Sequence, residues 1–202
     1  MIRLIAALLA LALLASCSSL QQTVAPEDLA NAERMRQLAG LDAWTMQGRI
    51  AIKQVTGGSG QGKIIWLQNG EDADISLSGP LGSGAVNIHW VPDEVVVSGA
   101  DLDVQHRYTG SDAAEQFLAE QLGWQFPAAS IRYWLLGLPN PDFAYTQNFS
   151  ADGALLGLQQ LGWTVDYQRF AAVNGYVLPA KLQVQGDAVR LRVVIDDWLL
   201  AK

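Results

Sequence analysis

The sequence predicts a mainly β fold with inserted helices, in which one long antiparallel sheet has about 11 strands. Apolar and polar residues alternate in six short runs between residues 44 and 107, and in about five more between residues 144 and 199. Between these two sets, residues 112–138 repeat their apolar positions at helical spacing. Strands and helices do not alternate, which excludes a doubly wound parallel sheet. A sheet of this length must curl, and the inserted helices are expected to plug its concave face.

The N-terminus predicts a lipoprotein signal peptide over residues 1–16. Arg3 supplies a positive charge, and the apolar segment Leu4–Leu14 is shorter than the roughly 20 residues that a membrane-spanning helix needs. The segment ends in Leu-Ala-Ser before Cys17, which resembles the lipobox of bacterial lipoproteins. This resemblance implies an S-diacylglycerol and an N-acyl chain on Cys17, and two or more acyl chains are enough for stable anchoring. The alternative is an ordinary signal peptide followed by an incidental cysteine.

The rest of the chain divides into a lipidated N-terminus and tether, residues 17–26, and a single domain, residues 27–202. Ser18 follows the cysteine where an aspartate commonly marks retention in the inner membrane, so the same resemblance implies delivery to the outer membrane. The formal charge of −7 becomes −8 without residues 1–16, because these include Arg3 and no acid. An acidic chain without a basic run argues against nucleic-acid binding. Apart from the lipid on Cys17, no cofactor is expected.

A helix and six strands are predicted before residue 108. Pro26 opens the helix, Glu27 and Asp28 suit the positive end of its dipole, and Gly40 can end it. From residue 44 the period changes to two. One face of the first strand then carries Trp44, Met46, Gly48, Ile50 and Ile52. The strands predicted in this half cover residues 44–53, 63–68, 73–77, 86–91, 94–98 and 102–107.

Two helices and about five strands are predicted in the second half. Phe117, Leu118 and Leu122 share a helical face that Gly123 can end. Pro127 opens another helix, in which the apolar positions at helical spacing are Ile131, Trp134, Leu135 and Leu138. Two prolines at positions 139 and 141 prevent its continuation. The strands that follow cover residues 144–149, 155–161, 163–170, 181–185 and 189–199.

Residues 76–86 are predicted to form a turn between two strands, because Gly79, Pro80 and Gly82 favour turn conformations. Leu81 stands at the tip of this turn, where Asn, Asp or Ser is usual. Leaving a leucine exposed forgoes roughly 1.5–3 kcal/mol of burial. Leu81 therefore either folds back onto the sheet or serves as a probe for something apolar outside the protein.

Three patterns associated with catalysis or metal binding are interpreted as incidental. Residues 57–63 fit the GxxxxGK pattern of a P-loop, but an isoleucine replaces the usual Ser or Thr and a strand follows instead of a helix. His89 and His106 lack ligand partners at suitable spacing, which argues against a metal site. Asp196 and Asp197 are adjacent in a strand, so they are expected on opposite faces and not as a carboxylate pair. No enzyme activity is expected.

An ordered set of motifs resembles one family along nearly the whole chain after Cys17. The motifs are WTMQGRIAI (44–52), IWLQ (65–68), ISLSGPLG (75–82), YWLLGLPNP (133–141), LGWTVDY (161–167), LPAKL (178–182) and VRLRVVIDDW (189–198). Together with the lipobox, in this order and spacing, they are similar to those of the LolB family. Its members are the outer-membrane lipoprotein receptors of the bacterial lipoprotein-localisation (Lol) pathway.

The resemblance implies an unclosed antiparallel β-barrel with a helical lid over an apolar cavity. It also implies a lipid-anchored outer-membrane receptor whose domain faces the periplasm. Such a receptor accepts mature lipoproteins from the periplasmic carrier LolA and inserts them into the inner leaflet of the outer membrane without nucleotide. In the family, a leucine at the tip of a protruding loop is needed for membrane insertion. The motif assigns that role to Leu81, with Gly79, Pro80 and Gly82 around it, and a monomer is expected.

The wide apolar face of the early strands is expected to line the acyl-chain cavity. The candidates are Trp44, Met46, Ile50, Ile52, Ile64, Trp66, Ile75 and Leu77, with Trp134 and Leu135 on the inner side of the helical plug. Period-two patterning does not distinguish a lipid pocket from a packed core, so both interpretations stay open. Accepting cargo from an acidic carrier would favour a basic cavity mouth, for which Arg107 and Arg132 are candidates.

Two other functions remain as alternatives. A structural or assembly lipoprotein of the outer membrane would use its sheet as a protein-docking surface and would have no lipid pocket. Co-purification of lipid with the unlipidated domain discriminates between this function and the receptor. An envelope hydrolase is disfavoured, because the sequence shows no catalytic constellation of Ser, His and Asp.

Overall fold

The structure is a computed structural model, and it describes residues 26–79, 84–99, 105–122 and 125–201. The predicted signal peptide, Cys17 and the turn residues Pro80, Leu81 and Gly82 lie outside the described residues. Within the described ranges, no helix combines the length and the apolar character needed to cross a membrane.

The described residues form one open sheet of eleven antiparallel strands, which confirms the predicted fold class and the prediction of about 11 strands. The strands are β1 (Ala43–Gln54), β2 (Ser59–Asn69), β3 (Asp72–Ser78), β4 (Val86–Val91), β5 (Glu94–Gly99), β6 (His106–Thr109), β7 (Tyr145–Phe149), β8 (Leu155–Gln160), β9 (Trp163–Val173), β10 (Tyr176–Gln185) and β11 (Val189–Leu200). Their order across the sheet is β6-β5-β4-β3-β2-β1-β11-β10-β9-β8-β7. Two meanders therefore extend outward from the central pair β1 and β11. The edge strands β6 and β7 do not pair within the described residues, so the barrel is unclosed.

In the described part of the chain, three helices accompany the sheet: α1 (Pro26–Ala39), α2 (Ala113–Leu122) and α3 (Ala128–Leu136). As predicted, α2 and α3 are inserted between the two sets of strands, and both contribute side chains to the buried core. Helix α3 ends two residues earlier than its apolar spacing indicated. Gly137 has a left-handed φ of 78°, and its N–H bonds back to the Trp134 carbonyl. The N–H of Leu138 likewise bonds to the Tyr133 carbonyl, which ends the helix before the prolines are reached.

The core is built around β1. Trp44 and Met46 point to the inner face of the sheet and are 3% and 0% exposed. Neighbouring strands add a row of tryptophans, with centroid distances of 5.3 Å for Trp198–Trp44, 6.2 Å for Trp44–Trp66 and 6.4 Å for Trp66–Trp90. Large aromatic side chains bury much apolar surface, so this row stabilises the packing across β11, β1, β2 and β4.

The prediction that Asp196 and Asp197 lie on opposite faces was wrong, because both side chains are exposed on the outer face. Strand β11 has a bulge here: Asp197 pairs with Gln47, and Asp196 is skipped before the next pair. The extra residue of a bulge interrupts the two-residue alternation of the strand. Arg49 donates two hydrogen bonds to Asp196, of 2.7 Å from Nη2 to Oδ1 and 3.1 Å from Nε to Oδ2.

Candidate functional site

The loops that join the strands lie at two opposite ends of the sheet. We call these the Gly70 end and the Gly79 end, after a glycine at each. The Gly70 end holds the turn from β2 to β3. The Gly79 end holds the C-terminus of β3 and the N-terminus of β4. Because the strands are antiparallel, the β1–β2 loop (residues 55–58) and the β10–β11 turn (residues 186–188) also lie at the Gly79 end.

An apolar cavity of about 380 Å³ lies between the inner face of the sheet and the inserted helices. Its sheet wall comes from β1 to β6 and β11, and its helical wall from α2, α3 and the segment between them. The lining residues are Ile50, Ile52, Ile64, Trp66, Ile75, Leu77, Val86, Ile88, Trp90, Val95, Val97, His106, Ala114, Phe117, Leu118, Phe126, Ala128, Ile131 and Leu191. His106 is the one titratable side chain among these described lining residues. This lining suits an apolar ligand.

The sheet face predicted to line a cavity is a cavity wall in one part and packed core in another. Six of the ten predicted residues line the cavity, namely Ile50, Ile52, Ile64, Trp66, Ile75 and Leu77. The other four are buried outside this lining, with exposed fractions of 3% for Trp44, 0% for Met46, 0% for Trp134 and 1% for Leu135. These four side chains pack against the core and hold the cavity walls in place.

On β1 and β3, the inner face becomes more exposed toward the Gly79 end, whereas Leu191 of β11, opposite Ile52, is buried. On β1, Met46 is buried, whereas Ile50 and Ile52 are half-buried. On β3, Ile75 is buried and Leu77, next to the end of the strand, is half-buried. The exposed part of the lining on these strands therefore lies toward the Gly79 end, where residues 80–83 connect β3 to β4.

The predicted cavity residues missed part of the sheet wall and all of the described helical wall. Val86, Ile88 and Trp90 alternate in β4 as the chosen residues do in β1 to β3, so the same signal was available there. Leu191 is a different case, because nothing local connects it with a cavity built by the early strands. It reaches the wall because β11 pairs with β1, which places Leu191 opposite Ile52.

A buried hydrogen-bond network holds the inserted segment against β8. The Oε1 atom of Gln160 accepts hydrogen bonds from Trp134 Nε1 and from the backbone N–H of Asn140, both at 3.0 Å. Its Nε2 atom donates to the carbonyls of Asn140 at 2.8 Å and of Phe143 at 3.0 Å. Asn140 in turn donates to Ser130 Oγ at 3.1 Å. Because buried polar groups need such partners, this network specifies one position for α3.

Tyr167 and Arg34 secure the C-terminal end of α3. The Tyr167 hydroxyl donates to the Trp134 carbonyl at 3.0 Å. Burial raises the pKa of Tyr167 well above its usual range, and the positive charge of Arg34 opposes this shift. Arg34, from α1, donates to the Gly137 carbonyl at 3.4 Å, and its own pKa is lowered by burial. A cation beside the carbonyl end of a helix is favourable, so Arg34 joins α1 to the inserted segment.

The two predicted basic residues of the cavity mouth lie beside carboxylates and not on the cavity wall. Arg107 forms an ion pair with Glu94. Arg132 Nη2 donates to the Tyr133 hydroxyl at 3.0 Å and lies 3.5 Å from Glu71 Oε1. Arg132 lines two smaller pockets of about 160 and 200 Å³ toward the Gly70 end. Both guanidinium groups are therefore partly neutralised, and neither lines the apolar cavity.

His89 has a partner that its sequence neighbours did not indicate. Its Nδ1 atom lies 2.7 Å from Asp74 Oδ1, because β3 and β4 place these two residues opposite each other. Both side chains are exposed. Across the described ranges, no group of three or more His, Cys, Asp or Glu side chains is arranged to hold a metal ion.

The predicted lipidation and membrane-insertion residues are not placed by the structure. Cys17, Pro80, Leu81 and Gly82 lie outside the described residues, and Gly79 is half-buried at the end of β3. Their roles stay predictions. The structure does show that β3 and β4, which residues 80–83 connect, both contribute to the cavity wall.

Comparison with known proteins decides the family. The sequence model of the family described as outer membrane lipoprotein LolB matches residues 42–198. The chain is 38% identical to the outer-membrane lipoprotein LolB of Pseudomonas aeruginosa (strain LESB58) over 201 residues, which cover 98% of this chain and 96% of that relative. The chain belongs to the LolB family. This member is therefore an outer-membrane lipoprotein of the Lol pathway.

Other relatives agree with this LolB assignment. The outer-membrane lipoprotein LolB of Stutzerimonas stutzeri (strain A1501) is 37% identical over 190 residues, which cover 92% of this chain and 90% of that relative. A crystal structure of a LolA superfamily protein from Nitrosomonas europaea matches with a TM-score of 0.54 at 8% identity, over 86% of this chain and 93% of that one. At this identity the likeness shows a shared fold. The names of these LolB relatives describe lipoproteins and no enzyme.

Proposed function

We propose that this protein accepts mature lipoproteins from the periplasmic carrier LolA and inserts them into the inner leaflet of the outer membrane. The apolar cavity between the sheet and the inserted helices is the observation that carries the proposal. Its described lining is almost entirely hydrocarbon, as a site for acyl chains requires. One chain supplies both walls, so a monomer is sufficient for the function.

Acyl chains determine the physical problem that such a receptor solves. In water each chain costs on the order of 10 kcal/mol, at about 0.8 kcal/mol per CH₂ group. The chains must therefore pass from one apolar container to the next without crossing water. No nucleotide is needed if each container binds the chains more favourably than the previous one, because the bilayer is then the final and most favourable site.

Two residues outside the described part of the chain complete the proposal. Lipidated Cys17 would anchor the receptor to its target membrane, so that the bilayer is always within reach of the cavity. Leu81 would insert into the membrane surface and lower the barrier to release of the cargo. The end of β3 supports this role, because Leu77, the cavity-lining residue nearest to residues 80–83 in the sequence on that strand, is half-buried whereas Ile75 is buried.

A transfer experiment tests the receptor function directly. LolA loaded with an acylated lipoprotein is mixed with residues 18–202, and the two proteins are then separated to find which one holds the cargo. We expect the cargo on this domain without added nucleotide. Cargo that stays on LolA would refute the proposal, provided that the same LolA preparation releases its cargo to a receptor of established activity. A protein-docking lipoprotein would then be the better description.

A further inference from the structure

Six basic residues share the outer face of the central strands, in a chain with a net charge of −7. They are Arg49 and Lys53 on β1, Lys63 on β2, Lys181 on β10, and Arg190 and Arg192 on β11. We call this group the basic band. The carboxylates on these four strands are Asp196 and Asp197, and Asp196 already binds Arg49. The face therefore carries a clear excess of positive charge.

The strand register brings the basic band together. Across the sheet, Lys181 lies opposite Val194, Val194 opposite Arg49, and Arg49 opposite Lys63. Lys63 in turn lies opposite Ser78, the last residue of β3. Closer to the Gly79 end, Lys53 lies opposite Arg190. The band thus extends over the half of the outer face toward the Gly79 end.

Several cations of the band are free to meet an external anion. Lys53, Lys63 and Arg192 are exposed, and none forms an ion pair among the described residues. Arg190 donates to the neutral side chain of Gln185 at 3.2 Å and so keeps its charge uncompensated. Cations that face outward without carboxylate partners attract anionic surfaces.

The opposite end of the sheet carries negative charge. Exposed acids at the Gly70 end are Asp42 before β1, Glu71 and Asp72 at the β2–β3 turn, and Asp93 at the β4–β5 turn. Exposed acids also occur at the Gly79 end, namely Asp187 in the β10–β11 turn and Asp142 before β7. Among the described residues, the difference in charge between the two ends therefore comes from the basic band. An anionic surface would attract the Gly79 end and repel the Gly70 end.

Exposed apolar residues occur at both ends of the sheet, with Val177 and Leu199 toward the Gly70 end and two others at the Gly79 end. Val55, in the β1–β2 loop, is 74% exposed, although its backbone N–H is held by the Ala188 carbonyl at 2.9 Å. Leu161, in the β8–β9 turn, is 43% exposed. Cations combined with projecting apolar side chains are the pattern of a protein surface that rests on a bilayer of anionic lipid.

We propose that the basic band binds the phosphodiester headgroups of an anionic phospholipid bilayer and turns the Gly79 end toward the membrane. The inference rests on the proposed function, because it explains how the exposed part of the cavity lining is presented to the membrane that receives the cargo. Leu81 then approaches the bilayer already oriented. The band adds a charge-dependent contribution to membrane binding that the acyl anchor and the apolar tip do not supply.

Vesicle binding by an unanchored chain tests the band. Residues 17–202 carrying Cys17→Ser keep every described residue and have no lipid attachment. Sedimentation with vesicles of phosphatidylethanolamine alone is compared with sedimentation with vesicles that also contain phosphatidylglycerol. We expect tighter binding to the anionic vesicles, and weaker binding as salt is raised. The double variant Lys53→Gln/Lys63→Gln should bind them on the order of tenfold or more weakly, because each cation near an anionic surface contributes about fivefold.

A matched variant controls for net charge. Arg36→Gln/Arg107→Gln also removes two cations, but these pair with Glu33 and Glu94 and lie outside the band. Its affinity for the anionic vesicles should be within about twofold of that of the parent chain, because all six cations of the basic band are still present. Thermal unfolding of both variants confirms that they are folded. Equal losses of vesicle binding in the two double variants would overturn the proposal that the basic band binds anionic lipid. Binding that does not depend on phosphatidylglycerol would overturn it as well.

Cargo acceptance in solution separates this proposal from the receptor function. Lys53→Gln/Lys63→Gln should take cargo from LolA at the parent rate when no membrane is present. If the parent chain bound anionic vesicles through the basic band but never accepted cargo, the receptor function would be refuted. Membrane binding by the band would still be supported. If this variant accepted cargo more slowly but bound vesicles as the parent chain does, the proposal that the basic band binds the membrane would be overturned. The band would then be a contact surface for LolA.

Discussion

Gly48 is the residue at which the central strand pair departs from regular pairing. A Cβ atom at this position would overlap the carbonyl oxygen of Val194 and come within 3.0 Å of the Ile195 Cα atom. Both are backbone atoms of β11, so no side-chain rotation relieves the overlap. The close approach coincides with the bulge that places Asp196 beside Arg49. A glycine is therefore required for steric reasons here, without any unusual φ.

Gly48→Ala should lower the free energy of unfolding by about 1–3 kcal/mol, the usual cost of overpacking. Denaturant-induced unfolding measures the loss. Gly60→Ala on β2 is the matched control, because a Cβ atom there meets nothing within 4 Å. Equal stability of the two variants would show that β1 and β11 separate easily at the bulge.

Tyr167 makes stability sensitive to alkaline pH. Its pKa in the folded protein is raised by burial, above a value of about 10 in the unfolded chain. The folded state thus holds the phenol proton more tightly. The resulting stabilisation is fully present below about pH 10 and is lost as the pH rises above that value.

Tyr167→Phe should therefore lack this part of the alkaline destabilisation. At neutral pH it should be about 1 kcal/mol less stable, because the hydrogen bond to the Trp134 carbonyl is missing. Denaturant unfolding at a series of pH values gives both quantities. Parallel stability curves for the variant and the parent above pH ~10 would contradict the assignment.

Leu81 is the residue on which delivery is expected to depend. Leu81→Glu should accept cargo from LolA normally, because the cavity wall of the described residues is unchanged, but it should fail to deliver cargo into liposomes. A charged side chain at the tip cannot enter the apolar part of the bilayer. Leu67→Glu replaces an outer-face leucine that is 48% exposed, and it should keep delivery. Normal delivery by Leu81→Glu would refute the role of the tip.

At the scale of elements, the inserted segment is held by polar contacts as well as apolar ones. Gln160 on β8 makes four hydrogen bonds to this segment while only 3% exposed. A buried amide with all its partners specifies one geometry, whereas apolar contacts alone allow a helix to slide. The cavity keeps its shape because α3 cannot move toward the sheet without breaking this network.

Gln160→Leu should lower the free energy of unfolding by about 3 kcal/mol or more, because several buried polar groups lose their partners at once. Gln159→Leu changes the exposed neighbour on the same strand and should alter stability by less than about 0.5 kcal/mol. Chemical unfolding of both variants makes the comparison. A small effect at Gln160 would mean that water replaces the lost partners.

At the scale of the whole molecule, the cavity exists because sheet and helices are kept apart by the side chains around it. Val97 lines the cavity from β5, and its neighbour Val96 does not. Val97→Phe should reduce cargo acceptance from LolA by about tenfold or more, since the added ring occupies space meant for acyl carbons. Val96→Phe should accept cargo normally. Equal acceptance by the two variants would show that the cargo binds elsewhere.

Local patterns in the sequence determined the elements of this protein and its family. Two-residue alternation predicted about 11 strands, and helical spacing located the insertion between them. Residues such as Ile50 and Ile75 were assigned to the inner face correctly, because alternation decides the face wherever a strand is regular. The ordered motifs indicated the LolB family, which the comparisons confirm.

Only the tertiary structure decided which apolar residues line a cavity. Met46 and Ile50 share one strand and one face, yet Met46 is core and Ile50 is cavity wall. The difference depends on how far α2 and α3 stand from the sheet at each point, which no local pattern contains. The bulge at Asp196 and the basic band likewise depend on pairing between β1 and β11, about 140 residues apart in the chain. Periodicity reports the direction of a side chain, and the packing of distant elements determines what it meets.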